Sequence, residues 1–153
     1  MTRPARLPAL IAAVAAVVVA LDQLTKSLVV ARLQDHAVHV VWTLRLTLSY
    51  NSGAAFSQGT GFTPFITIAV VALVAGMLFV ARKVTTTPLA VALGLVLGGA
   101  CGNLADRLLR GNGGAVIDFI DFQWWPVFNV ADIAVCCGAV LLVLSTFRTA
   151  EAT

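Results

Sequence analysis

The sequence has little charge. Asp, Glu, Lys and Arg make up 11% of its 153 residues, where an ordinary soluble domain carries about 25%. Histidine occurs twice and cysteine three times. A disordered chain, a coiled coil and a disulfide scaffold are excluded on these grounds. Cys101, Cys136 and Cys137 fall in apolar stretches and read as small buried side chains. The ten basic residues are scattered and the net charge is only +3, so nucleic acid is not an expected partner. No phosphate-cradling or dinucleotide-binding glycine loop is present. His36 and His39 lack a third metal ligand, and Ser49 and Ser57 lack the histidine and acid of a triad. No metal and no cofactor is expected.

What fills the chain is apolar. Such residues make up 59%, about two-thirds once the 12 glycines are counted, against roughly 45–50% in soluble domains. The mean hydropathy is +0.95. These values point to a small integral membrane protein. A helical span takes about 20 residues, so four spans fit with real loops and six do not. Runs from Leu7, Phe62, Pro88 and Val130 predict spans over about 7–28, 62–81, 88–106 and 130–147. Outer loops of about 34–61 and 110–129 remain, in one domain covering 1–153. The first run follows Arg3 and Arg6 as a signal peptide would. Asp22 directly follows its core with no small-x-small site, and three more runs lie downstream, so it reads as an uncleaved span. With no early cysteine for a lipid, the chain does not read as a lipoprotein itself. Gly94, Gly98 and Gly102, four apart, give the third span a flat face for close packing. Thr86, Thr87 and Pro88 mark its start.

Basic residues divide evenly between the two sides. Arg3, Arg6, Arg82, Lys83 and Arg148 face Lys26, Arg32, Arg45, Arg107 and Arg110. Both termini are placed inside, because the basic residues on the other side are mixed with acids or lie in structured loops. The acids are one-sided. Asp22, Asp35, Asp106, Asp118, Asp121 and Asp132 share the face opposite the termini, and only Glu151 does not. The outer loops also carry structure. Residues alternate in character from Thr43 to Tyr50, which predicts a half-buried strand, and Asn51-Ser52-Gly53 ends it. Gly111 to Gly114 is a second turn, Ala115 to Phe122 a second candidate strand, and Trp124 and Trp125 suit a membrane interface.

Several outer polar groups have two readings. Asp132, with Asn129 one turn earlier, is either a helix-cap acid or a functional carboxylate. Asn103, Asp106 and Arg107 share one helix face and are either a lock between helices or part of a site. Asp22 and Lys26 have ion-pair spacing. Asp118 lies among Val116, Ile117, Phe119 and Ile120, where desolvation raises a carboxyl pKa. Paired with Asp132, it could hold the proton while its partner activates a water.

Five blocks, taken in order, resemble the signature blocks of the lipoprotein signal peptidases, signal peptidase II. They are Asp22-Gln23-Leu24-Thr25-Lys26, Asn51-Ser52-Gly53-Ala54-Ala55-Phe56-Ser57, Gly98 to Arg107, Val116-Ile117-Asp118-Phe119-Ile120-Asp121, and Phe128-Asn129-Val130-Ala131-Asp132. The resemblance implies an all-α membrane protein of four transmembrane helices with a small extracytoplasmic β-strand platform. It implies an aspartic endopeptidase of the bacterial inner membrane that removes signal peptides from diacylglyceryl-modified prolipoproteins, cleaving before the lipidated cysteine. By the same resemblance Asp118 and Asp132 are the catalytic pair. Asp22, Lys26, Asn51, Gly53, Asn103, Asp106, Arg107 and Asn129 support the site or bind substrate. Termini would be cytoplasmic and the site at the outer face. Prolipoproteins and membrane lipids would be the partners, and the enzyme a monomer. Two features depart from the family: the Asp118–Asp132 segment is several residues shorter, and Ile133 stands where Ser or Thr commonly follows the last aspartate.

The local surroundings agree with that pair. Arg107 and Asn103 should keep Asp106 charged, and Asp121 lies an odd number of residues from Asp118, hence on the other face of a strand. Two other classes remain. A small transporter would carry its acid near mid-span with short loops. A non-catalytic assembly subunit would tolerate asparagine at both positions.

Overall fold

The structure, a computed structural model, describes residues 6–53 and 63–150. In chain order the described elements are α1 (Arg6–Arg32), β1 (Val38–Val41), β2 (Leu44–Asn51), α2 (Thr63–Ala81), α3 (Thr87–Leu109), β3 (Val116–Asp121) and α4 (Val130–Ala150). Each predicted span falls on a helix. Phe62, the predicted start of the second, lies outside the described residues, as do Ala54, Ala55, Phe56 and Ser57 of the second block. Helices α1, α2 and α3 are long and apolar enough to cross a membrane. The apolar stretch described in α4, Val130–Ser145, is shorter.

Helix α3 is the centre of the bundle. Pro88 lies in its first turn, where the missing N–H costs nothing. Its Gly94, Gly98 and Gly102 face α1, as the spacing predicts. A Cβ on Gly98 would stand 2.7 Å from Val18 Cβ and 2.9 Å from the Ala15 carbonyl oxygen. Because that oxygen is backbone, it cannot swing aside. Gly98→Ala is therefore expected to lower stability by about 1–3 kcal/mol, read as a lower melting temperature in detergent. An unchanged melting temperature would show that this face does not hold α1. On its other flank α3 packs along α4, where Gly138 lets the Ala92 carbonyl approach. Helix α2 is different. It packs on α3, and Thr63 is its only buried residue.

The cysteines depart from expectation. Cys101 is half-buried, but Cys136 and Cys137 are exposed on α4. Apolar residues of a membrane helix need not face a protein core, because lipid accepts them equally well.

The strands form one antiparallel sheet in the order β1-β2-β3. The predicted strand from Thr43 is β2, and the one within Ala115–Phe122 is β3. Strand β1 is additional. Its four residues are all exposed, so no burial alternation marked it, and Trp42 turns the chain into β2 at φ 51°. Ser49 pairs with Asp118 and Asn51 with Val116, whereas Leu46 pairs with Ile120. One extra residue of β2 is thus accommodated between Leu46 and Ser49. This bulge switches the face on which the later residues project.

The free edge of β3 is occupied. The N–H groups of Phe119 and Ile120 donate to the Phe128 carbonyl at 3.0 and 2.8 Å, and Phe128 N–H donates to the Ile120 carbonyl at 3.1 Å. Phe119 packs on Val29 and Leu33 at the end of α1. The sheet is thereby fixed over one end of the bundle.

Candidate active site

At that end, four charged side chains tie the helices together. Lys26 is fully buried, and its ammonium meets Asp22 Oδ2 and Asp106 Oδ2, each at 2.8 Å, and Asn103 Oδ1 at 3.0 Å. Three protons meet three acceptors, so the buried cation is saturated. Asp22 also accepts the Ala131 N–H at 3.1 Å, which satisfies a free donor in the first turn of α4. Asp106 accepts from Ile117 N–H (3.0 Å), Gln23 Nε2 (2.9 Å) and Arg110 Nε (3.1 Å). The expected i, i+4 pair of Asp22 and Lys26 is present. The counter-charges bonded to Asp106 are Lys26 and Arg110, however, rather than the expected Arg107. Arg107 points elsewhere: one terminal nitrogen donates to the Asn103 carbonyl at 3.4 Å, and its buried Nε has no partner among the described residues.

Gln23 and Arg110 were not singled out by sequence. Gln23 Nε2 donates to Asp106 and the Gly102 carbonyl, and Arg110 donates to Gln23 Oε1 and its carbonyl. The presence of Gln23 inside the first block was the one available signal.

The asparagines carry this order to Asp118 and Asp132. Asn103 Oδ1 accepts from Lys26 and from Asn129 Nδ2 (3.1 Å), so its own amide nitrogen is left to donate to Asp132 Oδ1 at 2.9 Å. At the head of α4, Asn129 N–H donates to Asp132 Oδ2 (3.1 Å), and Asp132 N–H donates to Asn129 Oδ1 (3.0 Å). That is a reciprocal helix cap, with Asn and Asp in place of Ser and Glu. Asp132 is thus a cap acid that keeps its other oxygen for the Asn103 amide. Asn129 Nδ2 also donates to Asp118 Oδ1 at 2.6 Å, so one residue bonds both carboxylates, Asp132 through its backbone N–H and Asp118 through its side chain. From the sheet, Asn51 Nδ2 donates to Asp118 Oδ2 at 2.9 Å. Asn51 is oriented by the Gly53 N–H, which donates to its Oδ1 at 2.8 Å. Gly53 has φ +80°, a conformation that favours glycine.

Asp118 is 2% exposed, between buried Ile117 and Phe119. Burial pushes its carboxyl up to about 6, opposed by the Asn51 bond and helped by the nearby charge of Asp132. Asp121 faces the other way and pairs with Arg45 Nε at 2.7 Å. Burial works to raise its pKa, but the bonds from Arg45 and the Gln123 N–H bring it below the usual carboxylate range.

Two cavities meet this cluster. One, of about 290 Å³, lies among α2, α3 and α4, lined by Val70, Leu73, Ala100 and Val135 with Asn103, Arg107 and Asp132. The other, of about 320 Å³, lies at the sheet, lined by Ser49, Asn51, Pro126 and Val127 with Asp118. An apolar space and a polar one thus flank the two carboxylates. Among the described residues, no group of three or more His, Cys, Asp or Glu side chains is arranged to hold a metal ion.

Known proteins resemble this chain in sequence and in fold. The family described as signal peptidase (SPase) II matches residues 14–148. The lipoprotein signal peptidase of Rhodococcus jostii is 46% identical over 140 residues, covering 87% of this chain and 70% of that protein. That of Mycobacterium avium is 46% identical over 147 residues, covering 93% and 81%. A solved bacterial membrane enzyme, determined by the in meso method at 2.3 Å resolution, superposes with a TM-score of 0.79 at 28% identity, covering 92% of this chain and 88% of that one. The chain belongs to the signal peptidase II family.

Proposed function

We propose that this membrane enzyme is an aspartic endopeptidase that cleaves diacylglyceryl-modified prolipoproteins just before the lipidated cysteine, with Asp118 and Asp132 as its catalytic pair. The observation that carries this reading is Asn129, which bonds both carboxylates, Asp132 on the wall of an apolar cavity and Asp118 on the wall of a polar one. Acyl chains and the apolar signal segment would lie on the α2–α3–α4 side, and the peptide along the sheet. Asp118 holds a proton and donates it to the scissile carbonyl oxygen. Asp132, held by amide donors at a helix N-terminus, takes a proton from water as the hydroxide attacks the carbonyl carbon. Collapse of the tetrahedral intermediate breaks the C–N bond: the departing amine takes the proton from Asp132, and a hydroxyl of the intermediate returns its proton to Asp118 as the carbonyl re-forms. Asn51, Gly53, Asn103 and Asn129 aim the pair, and Asp22, Lys26 and Asp106 join α1, α3, α4 and β3 beneath it. Arg107, at the cavity wall, would offer its guanidinium to a substrate carbonyl.

The unit is a monomer of four spans in the bacterial inner membrane, with cytoplasmic termini and the site at the outer face. Incubating the detergent-solubilised protein with diacylglyceryl-modified prolipoprotein should yield the mature form. An export-dependent reporter should work near Asn51 or Gly113 and fail at Lys83 or the C-terminus. The reverse pattern would put the aspartates inside and overturn the reading.

The division of labour has a pH signature. If Asp118 acts in its protonated form, kcat/KM should fall as pH rises through about 6, by about tenfold per unit. Asn51 bonds the charged form and holds the pKa down, so Asn51→Ala should move the fall to higher pH. A kcat/KM that climbs between pH 5 and 7 would give Asp118 the role of base instead.

A further inference from the structure

A third cavity, of about 350 Å³, opens between α1, α2 and α3 towards the end of the bundle opposite the aspartates. Ala12 and Ala15 of α1, Val74 and Leu78 of α2 and Leu97 of α3 line it, with Arg82 among its lining residues. It exists because α2 packs on α3 and hardly approaches α1. The small side chains of Ala12 and Ala15 leave the gap open. The charged residues described at this end are basic. Arg82 and Lys83 follow α2, and Arg6 begins α1 just before Pro8, another lining residue. No acid lies at this end among the described residues.

We infer that this groove holds an acyl chain of an anionic phospholipid, with the lipid phosphate at Arg82 and the chain wedged between α1 and α2. The groove is apolar along its length and cationic at the end where a headgroup would lie, which matches an anionic amphiphile. The other apolar segment at hand is a substrate's signal sequence. Under the reading above it brings a basic leader, which Arg82 and Lys83 would repel. The wedge has a structural consequence. Val70 and Leu73 line the cavity at Asp132, while Val74 and Leu78, the next turn of α2, line the groove. A chain in the groove therefore fixes the helix that walls the other cavity.

The test reads binding and needs no cleavage, so it can fail while the peptidase reading stands, and the reverse. The full-length protein, purified in detergent, is exposed to phosphatidylglycerol and to phosphatidylcholine with the same chains, and retained lipid is counted by native mass spectrometry. Phosphatidylglycerol should be retained in preference, and Arg82→Gln should cut that preference about fivefold, the share of one basic residue near a charged headgroup. Ala12→Phe should fill the groove and remove retention of both lipids. Ala12 is exposed to the groove rather than packed, and Arg82→Gln gives a reading even if the larger side chain prevents folding. Equal retention of the two lipids by the wild type would overturn the inference. So would undiminished retention by folded Ala12→Phe, or a preference unchanged in Arg82→Gln.

Discussion

Asp118→Asn and Asp132→Asn are each expected to abolish cleavage, by a factor of at least about a thousand, while the protein still accumulates and folds. Neither change removes a member of the buried Asp22–Lys26–Asp106 cluster. Asp118 contacts the amides of Asn51 and Asn129, and Asp132 contacts Asn103 and the first turn of its own helix. Asn keeps the shape of each side chain but cannot take or give a carboxyl proton. Asp121→Asn should keep substantial activity, because its bonds go to Arg45 and the Gln123 N–H. Asp106→Asn should cost folded protein at least as much as turnover. Cleavage by purified variants, normalised to folded protein, decides the matter. A folded Asp118→Asn that cleaves near the wild-type rate, beside a folded but dead Asp106→Asn, would move the dyad to Asp106 and Asp132.

Lys26→Met should be the most damaging substitution for folding. It leaves the fully buried carboxylates of Asp22 and Asp106 without the cation between them. Breaking a buried ion pair from one side costs about 3–5 kcal/mol, a large share of the total stability of a small protein. The variant is expected to be scarce, aggregated or proteolysed on expression. Replacing Asp22 by Asn in the same protein should recover part of the loss, because Asp106 keeps Arg110 as a partner at 3.1 Å. A Lys26→Met protein with the wild-type melting temperature would show that the cluster is not what joins the helices.

Much of this arrangement was legible locally. Asp22 and Lys26 are one helical turn apart, so their pairing follows from helix geometry alone. Strand β2 announced itself through alternation, and Gly94, Gly98 and Gly102 through their spacing. The apolar neighbours of Asp118 foretold its raised pKa. What stayed hidden depends on contacts between distant parts of the chain. Nothing near Asp106 indicates that Lys26 and Gln23, on another helix, will reach it before Arg107 does. Arg110 looked like an ordinary basic residue at a helix end. Strand β1 lacks a buried face, so its sequence carries no period to read. The two readings left open for Asp132, cap or functional group, proved compatible in geometry, because a carboxylate has two oxygens and the cap occupies one.

The extra residue in β2 makes this segment sensitive to parity in residue count. In an antiparallel pair, residues opposite one another project to the same side. Leu46 matches Ile120, and Asn51 reaches the Asp118 side only because one residue of β2 goes unmatched before Ser49. Inserting a single residue there, after Leu48 for example, would send Tyr50 to the place of Asn51 and turn the Asn51 amide away, whereas deleting Thr47 would close the bulge and keep Ser49 opposite Asp118 and Asn51 opposite Val116. The same insertion at the Trp42 turn leaves the later register untouched. A scan of single-residue insertions along 38–51 should therefore show a step: tolerated before Leu46, inactive though still membrane-embedded after it, while a deletion of Thr47 keeps activity. Over evolutionary time this stretch should accept substitutions far more readily than added residues.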